Sequence, residues 1–222
     1  MINNLYGKLF EYRGDSSDRG IINSVFRENV YKMPEEMEGM MVIDIGAQIG
    51  AASILAASRG AIVYAYEPFI DNYKLLVKNI AHNKYKNKIF PFKEAVGIPG
   101  TRKLYIHDNN TGSNSLYLIL PDFDEEHYEE IKTVSLASIF KKHNIKKCDF
   151  LKLDCEGAER EIIPEIINGL HEKIDKIGGE IHIDISKGPI ADFDKIEREL
   201  MAGLNKLYKQ TELSDSEFLW EK

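Results

Sequence analysis

Apolar positions along this chain alternate between two periods, and each change of period marks an element. Ile21, Ile22, Val25, Phe26 and Val30 fall at helical spacing and predict an amphipathic helix over residues 18–33. The run Met41-Val42-Ile43-Asp44-Ile45 then reads as a strand buried on both faces. A helix over 49–58 stopped by Gly60 and a strand over 61–67 (AIVYAYE) follow. Tyr73, Leu76, Val77 and Ile80 share one helical face, with Asp71 as the N-cap and an end near residue 83. IFPFKEAV at 89–96 predicts a strand that Pro91 places at a sheet edge.

Downstream, KLYIHD at 103–108 predicts a short strand, and 109–115 (NNTGSNS) is loop by composition. The acidic run from Asp122 to Glu126 extends that excursion. A helix over 135–144, a strand over 149–155 (DFLKLDC) and helical signals over 158–170 come next, with Pro164 expected to open a new helical turn. A strand over 177–184, a helix over 193–207 and a last strand over 216–221 complete the chain. Strands alternating with helices predict an α/β fold, a mostly parallel sheet covered on both faces, whose ligands bind beyond the carboxyl ends of the strands. No repeat or linker divides the chain, so residues 1–38 are expected to form a helical extension and residues 39–222 one catalytic domain.

Composition narrows the class. Hydrophobic residues make up 43% and charged residues 29% of the 222, as in globular domains. No run approaches the ~18 apolar residues of a membrane span, and the first twenty residues lack a signal-peptide pattern, so no membrane contact and a cytoplasmic location are expected. Cys148 and Cys155 bracket one strand, roughly 20 Å apart if extended, and are expected to be unpaired structural thiols. The net charge of −7 argues against a polyanionic nucleic-acid partner. The lysine clusters at 84–88 and 141–147 stand at predicted helix ends, where they complement the helix dipole.

The turn IDIGAQIG at 43–50 raises the question of a cofactor. A dinucleotide fingerprint needs glycine at 46, 48 and 51, but Gln48 and Ala51 occupy two of those positions, and no Gly-Lys-Ser/Thr follows for a phosphate loop. Glu67, at the end of the second core strand, lies 21 residues after Gly46, where an acid accepts both hydroxyls of a ribose. An acid and a glycine turn without a pyrophosphate cradle suit a nucleoside lacking phosphate, such as S-adenosylmethionine.

IDIGAQIG, YAYEPFIDNYKLLVKNI at 64–80, LKLDCEGAEREII at 151–163 and GGEIH at 178–182 together resemble the FkbM-like family of class I S-adenosylmethionine-dependent methyltransferases. The resemblance spans residues 38–184 and implies a Rossmann-like fold with a seven-stranded sheet and an antiparallel C-terminal strand. It implies a cofactor held by Asp44, Gly46, Gln48 and Gly50, with ribose on Glu67 and adenine beside Phe69, Ala95 and Val96. Gln48 departs from the asparagine more usual in the family.

Residues two apart on a strand share a face, which pairs Asp154 with Glu156, and Glu180 with His182 and Asp184. Asp154, Glu156 and His182 are the catalytic candidates, His182 as general base. The same donors suit a divalent metal, and the residues leave that alternative open. Glu161 and Glu165 read as helix-surface residues, and the polar loop 107–115 as a contact for a polyol or as solvated surface. The expected activity is O-methylation of a small-molecule or saccharide acceptor. Its rivals are a nucleic-acid methyltransferase, a non-catalytic S-adenosylmethionine-binding module, and a nicotinamide oxidoreductase. Cys155 follows Asp154 rather than proline, so it does not read as a nucleophile.

Overall fold

The computed structural model describes residues 2–107, 112–117, 125–182, 193–212 and 217–222. Its strands are β1 (Ile2–Leu5), β2 (Lys8–Glu11), β3 (Met41–Ile45), β4 (Ile62–Tyr66), β5 (Ile89–Phe92), β6 (Ala95–Val96), β7 (Gly100–Tyr105), β8 (Tyr128–Val134), β9 (Phe150–Leu153), β10 (Lys176–Glu180), β11 (Lys209–Glu212) and β12 (Glu217–Glu221). Its α-helices are α1 (Asp18–Asn23), α2 (Ala51–Ser58), α3 (Ile70–His82), α4 (Leu136–Lys142), α5 (Glu159–Ile167) and α6 (Phe193–Asn205).

Seven strands form one sheet in the order β11-β12-β10-β9-β3-β4-β5. β10, β9, β3, β4 and β5 pair in parallel, and β12 is antiparallel to both of its neighbours. The chain starts in the middle at β3, moves outward through β4 and β5, and returns to β9 on the other side. That reversal opens a crevice between β3 and β9. Register fixes what faces the crevice: Ile45 stands beside Tyr66 on one side and Leu153 on the other. Gly46, Glu67 and Asp154 therefore leave the sheet together at the same edge.

Two apolar layers hold the sheet. Val42, Val63, Ala65 and Phe150 pack against α2, α3 and the N-terminal segment. Ile43, Ile45, Tyr66, Leu151 and Leu153 point to the other face, where residues of α4 and α5 pack over them and Phe218 and Trp220 of β12 join the same apolar layer. Burial on both faces explains why the central strands read as apolar runs with no polar side.

Several elements differ from expectation. Helix 18–33 is shorter: α1 ends at Asn23, a π-helical turn spans Ser24–Glu28, and Asn29 turns left-handed with φ 49°. Ahead of it, β1 and β2 form a hairpin whose short strands carry no clean alternation. The strand expected over 89–96 divides. β5 stays at the main sheet's edge, as Pro91 indicates, while β6 joins a three-stranded sheet with β8 and β7. α3 is capped at Phe69 rather than Asp71, because Glu67 accepts the Phe69 N–H at 2.9 Å. Pro164 lies inside α5 and removes one ladder bond without opening a new helix. The 108–111 part of the polar loop, Asp122 to Asp124 and residues 183–184 with Asp184 lie outside the described residues. Among the described residues, no helix is long and apolar enough to cross a membrane. Cys148 and Cys155 are both free thiols.

Candidate active site

A cavity of about 290 Å³ opens at the crevice. Gly46, Gln48, Glu67, Ala95, Val96, Asp154 and Glu156 of the expected residues line it. The turn after β3 forms its floor. Gly46 has φ 77°, and a Cβ there would come 1.9 Å from the Asp154 carbonyl oxygen, so glycine is dictated by the approach of the neighbouring strand's loop. Gly50 sits outside the lining at the N-cap of α2, with φ 96° and with Leu76 where a side chain would go. Asp44 is fully buried behind the turn, where it accepts the Ser53 hydroxyl at 2.6 Å and stands 3.5 Å from the Lys152 ammonium. It organises the turn from beneath.

Glu67 is buried and tied to three donors. Its oxygens accept the Gln48 N–H at 2.8 Å, the Phe69 N–H at 2.9 Å and the Asn72 amide at 3.4 Å. Desolvation raises its pKa to about 7, although all three donors favour the carboxylate. Gln48, left-handed with φ 50°, gives its side-chain amide to Asp18 at 3.0 Å, and its Oε1 is buried without a hydrogen-bond partner. Arg13 grips Asp18 through Nε and Nη2 at 2.9 Å and donates to Asn72 at 2.6 Å. Arg13, Asp18, Gln48, Glu67 and Asn72 thus form a closed ring that fastens the N-terminal segment to the turn. Phe69 is buried beside this ring but does not line the cavity, whose apolar wall comes from Tyr66, Ala95, Val96, Leu104 and Leu116.

Charged groups converge at the opposite end. Asp154 accepts the Tyr31 hydroxyl at 2.5 Å and lies 3.7 Å from the Lys152 ammonium. Burial alone would raise its pKa, but Lys152, His182 and Tyr31 hold it below the usual range. Lys152 is itself buried, donating to the carbonyls of Ile45 at 3.1 Å and Gly46 at 2.6 Å. His182 lies behind the lining, 3.6 Å from Glu159, 3.5 Å from Glu180, 3.8 Å from Asp154 and 3.9 Å from Glu156. These are ion-pair separations longer than hydrogen bonds. Burial pushes the His182 pKa down, yet the surrounding carboxylates outweigh it and bring it to about 12. Glu156, with φ 54° in the loop after β9, is raised to about 8 by desolvation and by Asp154, Glu159 and Glu180.

Lys152, Tyr31, Asp18 and Glu159 escaped the sequence reading. Lys152 and Glu159 lie inside the LKLDCEGAE block, so that block carried a signal for them. Tyr31 and Asp18 had none, since their partners are 123 and 30 residues away. Glu161 and Glu165 are not surface acids. Glu161 binds Arg102 at 2.7 Å and the Tyr117 hydroxyl, and Glu165 caps α4 by accepting the Leu136 and Ala137 N–H groups. Burial raises Cys155 well above the ordinary thiol pKa, which leaves it a poor nucleophile.

The family model described as the methyltransferase FkbM domain matches residues 44–209. Among curated proteins, none matches the sequence. Among solved structures, the chain is similar to the METTL16 MTase domain at 13% identity and a TM-score of 0.48, covering 91% of this chain and 64% of that one. It is similar to a putative transferase from Pyrococcus horikoshii at 14% identity and a TM-score of 0.49, with coverages of 99% and 70%. It is also similar to TYW2 of M. jannaschii in complex with AdoMet, at 14% identity and a TM-score of 0.44, with coverages of 100% and 84%. The chain thus spans somewhat less than two thirds of the METTL16 domain.

Proposed function

This chain belongs to the FkbM-domain methyltransferases, and we propose that it transfers a methyl group from S-adenosylmethionine to a hydroxyl oxygen of a small molecule or saccharide. The cavity's residues fit that cofactor. The orphaned Gln48 Oε1 is an acceptor suited to the ammonium of its amino-acid end, and Glu67, with three of its roughly four acceptor positions filled, retains one for a ribose hydroxyl. Ala95 and Val96 offer an apolar wall for adenine. Bound there, S-adenosylmethionine supplies an electrophilic methyl group on a sulfonium sulfur.

The chain's own residues position and deprotonate. Tyr31 and Lys152 hold Asp154 ionised and fixed at the cavity edge. Glu156, which lines the same cavity, takes the proton of the acceptor hydroxyl onto its carboxylate. His182, ringed by carboxylates, acts as a cation that holds those acids together rather than as the base. The apolar wall excludes water from the transferring group. In this reading residues 39–222 are the methyltransferase domain, and the extension 1–38 completes its cavity through Ser17, Ile21, Val25 and Tyr31.

The observation that carries the reading is the shared edge: Glu67 and the Asp154–Glu156 loop open on one cavity with the Gly46 turn between them. A wall of carboxylates disfavours a polyanion, which supports an uncharged hydroxyl acceptor over nucleic acid. Calorimetric titration with S-adenosylmethionine and with NADH tests the cofactor. The sulfonium ligand should bind, and Glu67→Ala should weaken it by ~1.5–3 kcal/mol. Equal binding by parent and variant would sink the reading.

A further inference from the structure

We infer that Asn114 reads the base of the cofactor, donating from its side-chain Nδ2 to a ring nitrogen of adenine. The inference rests on the S-adenosylmethionine reading and adds a residue to it. Asn114 lines the cavity. Its Oδ1 accepts the His107 N–H at 2.9 Å, while its Nδ2 is buried with no hydrogen-bond partner. A backbone N–H needs an acceptor, so the amide oxygen must face His107 and the unused group is the donor. A buried donor of this kind normally finds a partner, which makes it a pointer to a ligand.

Asn114 is held in place before any ligand arrives. The next residue, Ser115, is fully buried and exchanges backbone hydrogen bonds with Tyr105 of β7 at 2.8 and 3.1 Å. Its hydroxyl donates to the Glu156 carbonyl at 2.5 Å and accepts the Tyr117 N–H at 3.1 Å. These bonds fasten the segment to β7 on one side and to the loop after β9 on the other. Little ordering entropy is then left for binding to cost.

The surroundings suit a base. Leu104 of β7 and Leu116, two residues beyond Asn114, belong to the apolar wall that Tyr66, Ala95 and Val96 complete. Apolar walls with one placed donor match a heteroaromatic ring, whose faces are apolar and whose ring nitrogens accept. Among the described residues, two cavity-lining side chains carry a buried polar atom without a partner: Gln48 has an acceptor and Asn114 a donor. S-adenosylmethionine offers the opposite pair, since its ammonium donates and its adenine nitrogens accept. Turned end for end, it would set the ammonium against the Asn114 donor and leave Gln48 Oε1 facing ring nitrogens.

The amino-acid carboxylate also accepts, and two probes separate it from the base. S-adenosylhomocysteine is the first; 5′-methylthioadenosine, which keeps base and ribose but lacks the amino-acid end, is the second. Calorimetry on the purified chain gives both affinities. Asn114→Asp keeps an oxygen for the His107 N–H and removes the donor, Asn114→Ala removes both, and thermal melts show that each variant is folded. Both variants should bind both probes about five- to tenfold more weakly than the parent, the worth of one neutral hydrogen bond. Parent-like affinity for both probes in folded Asn114→Asp overturns the contact. A loss confined to S-adenosylhomocysteine overturns it as well, by placing Asn114 at the amino-acid end. If the parent binds neither probe, the cofactor reading falls and takes this contact with it; parent binding with unchanged variants removes Asn114 alone.

Discussion

Gln48 reaches back thirty residues to donate its side-chain amide to Asp18 at 3.0 Å, which makes the N-terminal segment a structural part of the cofactor turn. Asp18 is fully buried, and Arg13 holds both of its oxygens. Asp18→Ala would leave the guanidinium and the Gln48 amide without their acceptor. It should destabilise the protein by ~1–3 kcal/mol, lowering the melting temperature by about 2–4 °C per kcal/mol, and weaken S-adenosylmethionine binding. Thermal melts and calorimetry read both effects. An unchanged affinity in a folded variant would show that the ring is structural only.

Gly46→Ala and Gly7→Ala separate close approach from backbone strain. Both glycines are left-handed, with φ 77° and 74°, but nothing lies within 4 Å of a Cβ at Gly7. Gly7→Ala should cost only the ~1–2 kcal/mol of the left-handed backbone. Gly46→Ala meets the Asp154 carbonyl at 1.9 Å and should cost clearly more, or abolish folding. Urea denaturation of the two variants gives the comparison.

Glu67 should make stability fall as pH rises. An unfolded glutamate releases its proton near pH 4.5, whereas the folded protein keeps it to about 7. Between those values the native state binds more protons than the unfolded state, so stability declines across that window by roughly 3 kcal/mol and is then flat. Glu67→Gln should remove Glu67's share of the slope in urea titrations run at several pH values, leaving the part that Glu156, raised to about 8, contributes with the same sign. Cofactor affinity should move the other way, increasing up to pH ~7, because ribose hydroxyls bind the carboxylate better than the acid.

Lys152→Met should destabilise by ~3–5 kcal/mol, since it strands Asp44 and Asp154 as buried charges without their shared cation. Adding Asp44→Asn should recover part of that loss, and equilibrium unfolding of the two single variants and the double variant measures the coupling. Strict additivity would show that Asp44 and Lys152 do not interact.

Transfer activity tests the proton acceptor. With an acceptor in hand, Glu156→Gln should lower turnover by about 10²–10⁴-fold while S-adenosylmethionine affinity changes little. A matched loss of cofactor affinity would place Glu156 in cofactor binding instead.

Local pattern determined much of this protein. The apolar runs at 41–45, 61–67 and 149–155 read as strands buried on both faces, and the helices between them imposed a parallel sheet. Pro91 placed β5 at the edge because it cannot donate to a ladder. Gly46, Glu67 and Asp154 were legible as well, because they follow strand ends and the fold brings parallel strand ends to one side.

Tertiary structure alone decided what each polar group does. The strands of the β1–β2 hairpin are too short to announce themselves, and the seven-residue β8 (YEEIKTV) is too charged to read as a strand, so pairing supplies what their sequence pattern lacks. Pairs such as Tyr31–Asp154 and Asp18–Gln48 join distant segments, so no spacing rule reports them. The protonation of His182 depends on four carboxylates delivered by two separate stretches of chain, Asp154, Glu156 and Glu159 after β9, and Glu180 at the end of β10. A histidine's pKa is the sum of fields from groups close in space, and a linear sequence carries residue identities but not the distances over which those fields act.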